Sequence, residues 1–335
     1  MRNKVTVIIP SFNEIKNIRE CVTSLINNDY PDELLEILIV DGESSDGTIA
    51  VLEELCKAYT NVHHIVNTDR ITPVALNLGI KNATGDYIMI ASAHSSYPSD
   101  YVRKLANHLD ESDASVVGGV METKVREENT KSWAIKRVLS SRFGVGNSMF
   151  RIGTVEPISV DTVPFGMYRR LVFEKAGRYN ERLVRNHDIE FSKRIIRNGF
   201  KIYLFPEPVC YYYARDNYRD LAKNNFQNGM WNILTVYITK SPASLSIRHF
   251  IPLIFLLFLT GPLIAGLIIN PSISIISVAC LMLYFVFLFF NSILFINKPF
   301  YFLNIIWSYI VIHFSYGFGS LIGCLKLQYI FIKDK

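Results

Sequence analysis

The chain has 335 residues, half of them hydrophobic, and 35 Lys and Arg against 30 Asp and Glu, a length that points to at least two units rather than one. Of the formal net charge of +5, most lies at the end, where residues 249–335 hold four lysines against Asp334, so the remainder is close to balance and offers no basic surface for nucleic acid. Five cysteines (Cys21, Cys56, Cys210, Cys280 and Cys324), none in CxxC spacing, fit a reducing compartment and argue against a zinc site.

Met1–Lys4 lead straight into a short apolar strand, Val5–Ile9, closed by Pro10, so no signal peptide is expected. Ile18, Val22, Leu25 and Ile26 then recur at helical spacing. Leu34–Val40 is too short for a typical helix and too apolar for a half-exposed strand, and reads as a buried parallel strand. It stops at Asp41-Gly42-Glu43-Ser44-Ser45-Asp46-Gly47-Thr48, where Asp46 or Ser45 is placed to cap a helix through Ala58. Val62–Val66 and Tyr87–Ala91 are further strands, separated by a helix from Pro73 to Asn82 that ends at Thr84-Gly85-Asp86. Strands alternating with helices in this way predict an α/β domain with a mostly parallel sheet.

In such sheets ligands bind outside the carboxyl ends of the strands. Three of those ends carry polar groups: Asn13 and Glu14, Asp41, and Ser92-Ala93-His94. Asp41 can accept from a base N–H or a ribose hydroxyl, whereas GxxxxGK[ST] and GxGxxG, the phosphate-cradling loops, do not occur. The plainer alternative is a strand–turn–helix with Asp46 as cap.

Together Pro10-Ser11-Phe12-Asn13-Glu14, Asp41–Thr48, Arg70 with Ala75, Asn77 and Gly79, Thr84-Gly85-Asp86, Gly166–Arg170, Gly177-Arg178-Tyr179 and Asn186–Glu190 resemble the family 2 glycosyltransferases over about residues 4–215. Within that family Ser-Ala-His before Tyr97-Pro98, Phe143–Gly146 and His313–Gly317 are similar to the membrane-attached succinoglycan-biosynthesis type. The resemblance implies a Rossmann-like GT-A fold that binds a nucleotide-sugar donor through Pro10, Asn13, Glu14, Asp41, Asp46, Arg70, Asn77, Ser92 and His94. Inverting transfer needs a base for the acceptor hydroxyl and positive charge for the leaving diphosphate. By resemblance the base is Asp188, whose plainer reading is a helix cap. His187, Glu190, Gln227 and Trp231 fall on the acceptor side. His187 stands where many relatives have Glu, and Met230 replaces the Arg of the Gln-x-x-Arg-Trp motif of processive relatives, so polymerisation is not expected. The metal-binding Asp-x-Asp is Ser92-Ala93-His94 here; His94 suits Mn²⁺ better than Mg²⁺, and divalent metal use is left open.

Leu221, Ala222, Phe226, Met230, Ile233, Leu234 and Tyr237 predict an amphipathic helix over Tyr218–Tyr237, lying at the membrane surface. Phe250–Ile269, Ser272–Ile296 and about Phe300–Leu325 are each long enough to span a bilayer. The expected division is therefore 1–217 catalytic, 218–248 interface helix and linker, and 249–335 membrane, in the cytoplasmic membrane with the catalytic domain cytosolic. Three spans then place Lys326, Lys333 and Lys335 outside, against the usual bias, unless the last segment is not a simple span; Gly319 and Gly323 suit close packing on a neighbour. The function expected is sugar transfer to a lipid-linked saccharide. Two alternatives stay open: a catalytically silent nucleotide-sugar-binding or scaffold protein, and a polyprenyl-phosphate sugar transferase.

Overall fold

The computed structural model describes residues 3–333, with side chains described to Leu327; Lys335 lies outside the described residues. The chain forms two units, one of residues 1–124 and 148–213 and the other of residues 125–147 and 214–335.

In the first unit β1 (Val5–Ser11), α1 (Ile18–Ile26), β2 (Leu35–Asp41), α2 (Thr48–Ala58), β3 (Val62–Val66), α3 (Thr72–Asn82) and β4 (Tyr87–Ile90) follow the expected order. The strands pair in parallel as β3-β2-β1-β4. Both faces of this sheet are buried, which is why the strands are apolar without alternation. Val5, Val7, Ile9, Ile37 and Ile39 enter one core, while Ile8, Leu38 and Val40 enter the other. Ser11 pairs with Asp41, and Asp41 with Val66, so three strands end level with one another.

The sheet continues through β5 (Ser95–Ser96), α4 (Tyr101–Glu111) and β6 (Val116–Lys124). The chain leaves for the second unit as α5 (Thr130–Leu139) and α6 (Arg142–Val145), then returns as α7 (Met149–Ile152), β7 (Ile158–Ser159), β8 (Met167–Arg169), α8 (Arg170–Ala176), α9 (His187–Arg197) and β9 (Ile202–Tyr213). The full order is β3-β2-β1-β4-β8-β6-β9-β5, with β7 on β9. β8 runs antiparallel to both β4 and β6, and β5 and β7 run antiparallel to β9, so the sheet is mixed beyond its parallel half. The Thr84-Gly85-Asp86 turn is fixed by Glu36, which accepts from Thr84 N and Thr84 Oγ1 at 2.9 Å, and by Arg170, whose guanidinium reaches Ala83 O and Gly85 O.

The second unit holds α5, α6, α10 (Tyr218–Thr239), α11 (Ile251–Ile268), α12 (Ser274–Ser292) and α13 (Pro299–Lys333). Three segments, Ile247–Ile268, Pro271–Phe295 and Pro299–Leu327, are long and apolar enough to cross a membrane. The last is the most covered by protein, 39% of its apolar window against 11% in each of the others. α10 runs parallel to α13: Tyr218 bonds Asn304, Asn232 Nδ2 donates to the Tyr316 hydroxyl at 2.7 Å, and Ser320 Oγ donates to Gly229 O at 3.1 Å. A Cβ on Gly229 or Gly319 would overlap the carbonyl oxygen of Tyr316 or Phe226, and one on Gly323 would lie 2.8 Å from Met230 O. The expected close packing at Gly319 and Gly323 is thus present, and its neighbour is α10. That packing alters the reading of α10: an α13 seam with buried Asn225, Asn232 and Thr235 occupies one of its faces.

The excursion 125–147 also departs from the expected boundary at 217. Ala134, Ile135 and Val138 of α5 bury against Leu288, Ile305, Tyr309 and Ile312. His313 Nε2 bonds Phe143 O at 2.9 Å, and the Ser141 and Tyr309 hydroxyls meet at 2.9 Å.

Candidate active site

The carboxyl ends of β1, β2, β3 and β4 open into a cavity of about 310 Å³ lined by Pro10, Ser11, Phe12, Glu14, Gly42, Asn67, Arg70, Ile71, Thr72, Ala75, Ser92, Ala93 and His94. Of the residues expected at the donor, Pro10, Glu14, Arg70, Ser92 and His94 line it. Asn67, Ile71 and Thr72 were not anticipated. Their signal was the rim rule itself, applied to the third strand, since Asn67 directly follows β3.

Two turns build the wall. Asn13 takes a left-handed φ of 56°, donates its amide to Ser44 Oγ at 2.7 Å and accepts from Ser45 N at 2.9 Å. Glu14 N donates to Thr48 Oγ1 at 2.9 Å, and Ile15 N to Asp46 Oδ2 at 3.1 Å. Asp46 also accepts from Thr48 N at 3.1 Å in the turn before α2, but the cap position belongs to Gly47 at φ 100° and no side chain caps the helix, so the expected cap at Asp46 or Ser45 is not formed. Slight burial pushes the Asp46 carboxyl up, but the bonds from Thr48 and Ile15 outweigh it and hold the group below the usual carboxylate range. Asn13 and Asp46 therefore fasten the loops together and do not line the cavity.

Asp41 differs from expectation. It is fully buried, and its two oxygens accept from Ser44 N at 2.8 Å and Ser44 Oγ at 2.7 Å. Its carboxylate shapes the loop, and Gly42 is the residue that faces the cavity. Asn77 differs as well: it donates to Tyr179 O at 2.9 Å and Glu181 Oε1 at 2.8 Å and accepts from Tyr179 N at 3.0 Å, tying α3 to a loop 102 residues away.

His94 sits at the centre of a three-residue knot. Its Nε2 lies 2.8 Å from Glu14 Oε1, its Nδ1 lies 3.1 Å from Asn17 Nδ2, and Asn17 Nδ2 donates to Glu14 Oε2 at 2.8 Å. A carboxylate can only accept, so Nε2 carries the proton and Nδ1 accepts from Asn17. Both imidazole nitrogens and both Glu14 oxygens are then engaged. No three His, Cys, Asp or Glu side chains among the described residues gather around a common metal position. Divalent ions of this chemistry take several oxygen ligands, and the donor set here does not fit one. On the cavity's other side Arg70, at φ 59°, pairs with Glu43 at 2.9 Å.

Asp188 stands exposed in the first turn of α9. The cap position belongs to Asn186, in left-handed conformation, and no side chain caps the helix, so Asp188 is not spent as a cap. Neighbouring Tyr168 is pushed up to about 12, by burial first and by the charge of Asp188 in addition. His187 is edge-on to Tyr179 with ring centroids 5.7 Å apart, and its Nδ1 is buried without a hydrogen-bond partner. Burial pushes its pKa down, against the opposing charge of Asp188. Glu190, expected on the acceptor side, is buried and holds Arg194 through bonds of 2.9 and 3.0 Å. It is a structural ion pair. Gln227 and Trp231 are half-buried on α10, in the second unit.

A parallel Rossmann-like half-sheet extended by antiparallel strands, with a polar cavity at its strand ends, defines the GT-A class of nucleotide-sugar enzymes. Comparison with known proteins agrees. Residues 6–177 match the family described as glycosyl transferase family 2. The chain is 32% identical, over 80% of its length and 83% of the relative's, to a dolichyl N-acetyl-α-D-glucosaminyl phosphate 3-β-D-2,3-diacetamido-2,3-dideoxy-β-D-glucuronosyltransferase of Methanococcus voltae. It is 28% identical to the succinoglycan biosynthesis protein ExoA of Rhizobium meliloti, over 62% of this chain and 63% of that one. Among solved structures, a mannosyltransferase of Pyrobaculum calidifontis in complex with GDP-Man and Mn²⁺ superimposes with a TM-score of 0.58 at 18% identity, covering 94% of this chain and 87% of that one. This chain belongs to glycosyl transferase family 2, and it is a glycosyltransferase.

Proposed function

We propose that the enzyme takes a sugar from a nucleoside diphosphate sugar held in the cavity and passes it, with inversion, to a saccharide carried on a membrane lipid. The observation that carries this reading is the cavity itself, in which the ends of four neighbouring strands supply Ser11, Gly42, Asn67, Arg70 and His94 to one space. Gly42 permits the close approach of Phe12, whose side chain also lines the cavity. Asp188, exposed and uncommitted to capping, is the base for the acceptor hydroxyl. The name of the Methanococcus relative, which acts on a dolichyl-linked sugar phosphate, supports the acceptor class.

The membrane is the cytoplasmic one, with the catalytic unit on the cytosolic side. α11 and α12 cross it as a hairpin. α13 is read differently, because its first half is flanked by two polar helices, α5 with exposed Lys131 and Arg137 and α10 with Arg219, Asp220 and Lys223. Trp133 packs edge-on to Phe295 and Tyr301, with centroids 5.0 Å away in each case, and Arg137 lies 5.4 Å from the Phe295 ring. Aromatic rings among cations mark a membrane–water boundary. With α13 at that boundary, Lys326 returns to the side on which positive charge collects.

Thermal shift with a panel of nucleotide sugars identifies the donor, since a ligand of the folded state raises its apparent stability. Product formation then follows on lipid-linked sugars and on bare polyprenyl phosphate. Transfer to the lipid-linked sugar alone supports the reading, and transfer to the bare phosphate makes the enzyme a polyprenyl-phosphate sugar transferase. Donor binding without product on either acceptor overturns the proposed acceptor class.

A further inference from the structure

Glu14 and His94 of the knot line the cavity, and by the resemblance His94 ends the tripeptide that stands in place of the metal-binding Asp-x-Asp. For an ion to bind His94 it needs a ring lone pair. The lone pair of Nε2 is excluded by the proton it shares with Glu14 Oε1, at 2.8 Å, and that of Nδ1 is filled by Asn17 Nδ2, at 3.1 Å. Glu14 is held in place by the same Asn17 amide, which donates to its second oxygen at 2.8 Å, and its side chain is only 12% exposed, so little of it can reach an ion in the cavity. Reversing the Asn17 amide does not release it, because its carbonyl oxygen would then face the Glu14 carboxylate. The backbone reinforces the arrangement: Glu14 N is held by Thr48 Oγ1, and His94 O accepts from Tyr213 N at 3.1 Å. Ser92, two residues before His94, brings a hydroxyl where an acid would have supplied charge.

We propose that this chain binds its nucleoside diphosphate without a bridging divalent ion, and that His94 serves to lock Glu14 and the β4 loop rather than to ligate a metal. The inference rests on the donor cavity proposed above. The negative charge is met instead by Arg70, which exchanges Glu43 for phosphate, and by the N-terminus of α3, where Ile71 and Thr72 line the cavity. Pro73 has no N–H and Ala75 N bonds Ile71 O, so it is the amide of Thr72, at the cavity, that would favour an anion there.

The test is calorimetric, on the full-length protein in detergent, with UDP, GDP, ADP, CDP and dTDP as probes, each titrated in EDTA and in MnCl₂. Expected is at least one nucleotide whose Kd agrees within about threefold between the two conditions. Ser92→Asp, which restores an acid beside His94, should convert that indifference into dependence, with Mn²⁺ tightening the same nucleotide by about tenfold or more, the scale on which single changes around a metal act. Mn²⁺ tightening binding to the wild-type chain by about tenfold or more would overturn the inference and leave the donor cavity standing. Binding of none of the five under either condition would overturn the cavity reading, and this inference with it. Electron paramagnetic resonance gives an independent readout: free Mn²⁺ signal should be undiminished by the wild-type protein, and its loss at stoichiometric protein would count against the proposal.

Discussion

The seam between α10 and α13 can be tested by adding single methyl groups. A Cβ on Gly323 would stand 2.8 Å from Met230 O and 3.0 Å from Ile233 Cβ, and one on Gly319 would overlap Phe226 O outright. Since ordinary contact begins near 3.4 Å, the helices must part along the seam. Forcing extra carbon into a packed interface costs about 1–3 kcal/mol. Parting also stretches the Asn232–Tyr316 and Ser320–Gly229 hydrogen bonds, each worth about 0.5–1.5 kcal/mol. Gly319→Ala should therefore lose about 2–4 kcal/mol, which for a unit of this size lowers the melting temperature by roughly 5–10 °C. Gly261 is the control. Nothing lies within 4 Å of its would-be Cβ, so Gly261→Ala is expected to be neutral or to gain up to about 1 kcal/mol from helix propensity. The assay is thermal unfolding of detergent-solubilised protein, with Gly229→Ala/Gly319→Ala added because two substitutions on one seam should cost less than their sum. A Gly319→Ala protein that melts no lower than Gly261→Ala would refute the seam.

Asp188→Asn should lower the transfer rate by about 10²- to 10⁴-fold while nucleotide affinity is kept, measured by single-turnover kinetics beside calorimetry. Asp41→Ala should lose stability, since its carboxylate makes two buried bonds each worth about 1.5–3 kcal/mol, and donor affinity should fall with the loop; an unchanged melting temperature would return Asp41 to the ligand. His187 has a folded pKa held below its unfolded value by burial, so its neutral form stabilises the fold above about pH 6.5 and that contribution is lost as pH falls through the folded value. Melting curves should show this acid loss in the wild type and less of it in His187→Gln. A reporter fused after Lys335 should be active on the cytosolic side; activity on the far side would make α13 a third crossing.

Much of the first unit was legible because a strand buried on both faces has no alternation to hide it, and β1 to β4 appear within a residue or two of their expected places. The orientation of Asp41 was open to inspection too: Ile37 and Ile39 face one core, and at a period of two Asp41 follows them inward. Glu190 and Arg194, four apart on one helix, were likewise readable as a pair. Asn77 was not, since its partners Tyr179 and Glu181 lie more than a hundred residues on and no local pattern announces them. The antiparallel β8 and the two-residue β5 and β7 are too short to carry a periodic signal. Nor could the departure of 125–147 be foreseen, because an apolar face on α5 says that a partner exists without saying which.

That departure has a consequence in time. α5 packs on Ile305, Tyr309 and Ile312 of α13, which leave the ribosome about 170 residues after it. Until α13 emerges, the apolar stripe of Ala134, Ile135 and Val138 lacks the part of its native cover that Ile305, Tyr309 and Ile312 supply, while the strands on either side of the excursion are already free to pair. A chaperone or the bilayer surface has to shelter that stripe through most of synthesis. A chain halted before Pro299 should accordingly be degraded or aggregated even though its entire sheet has been made.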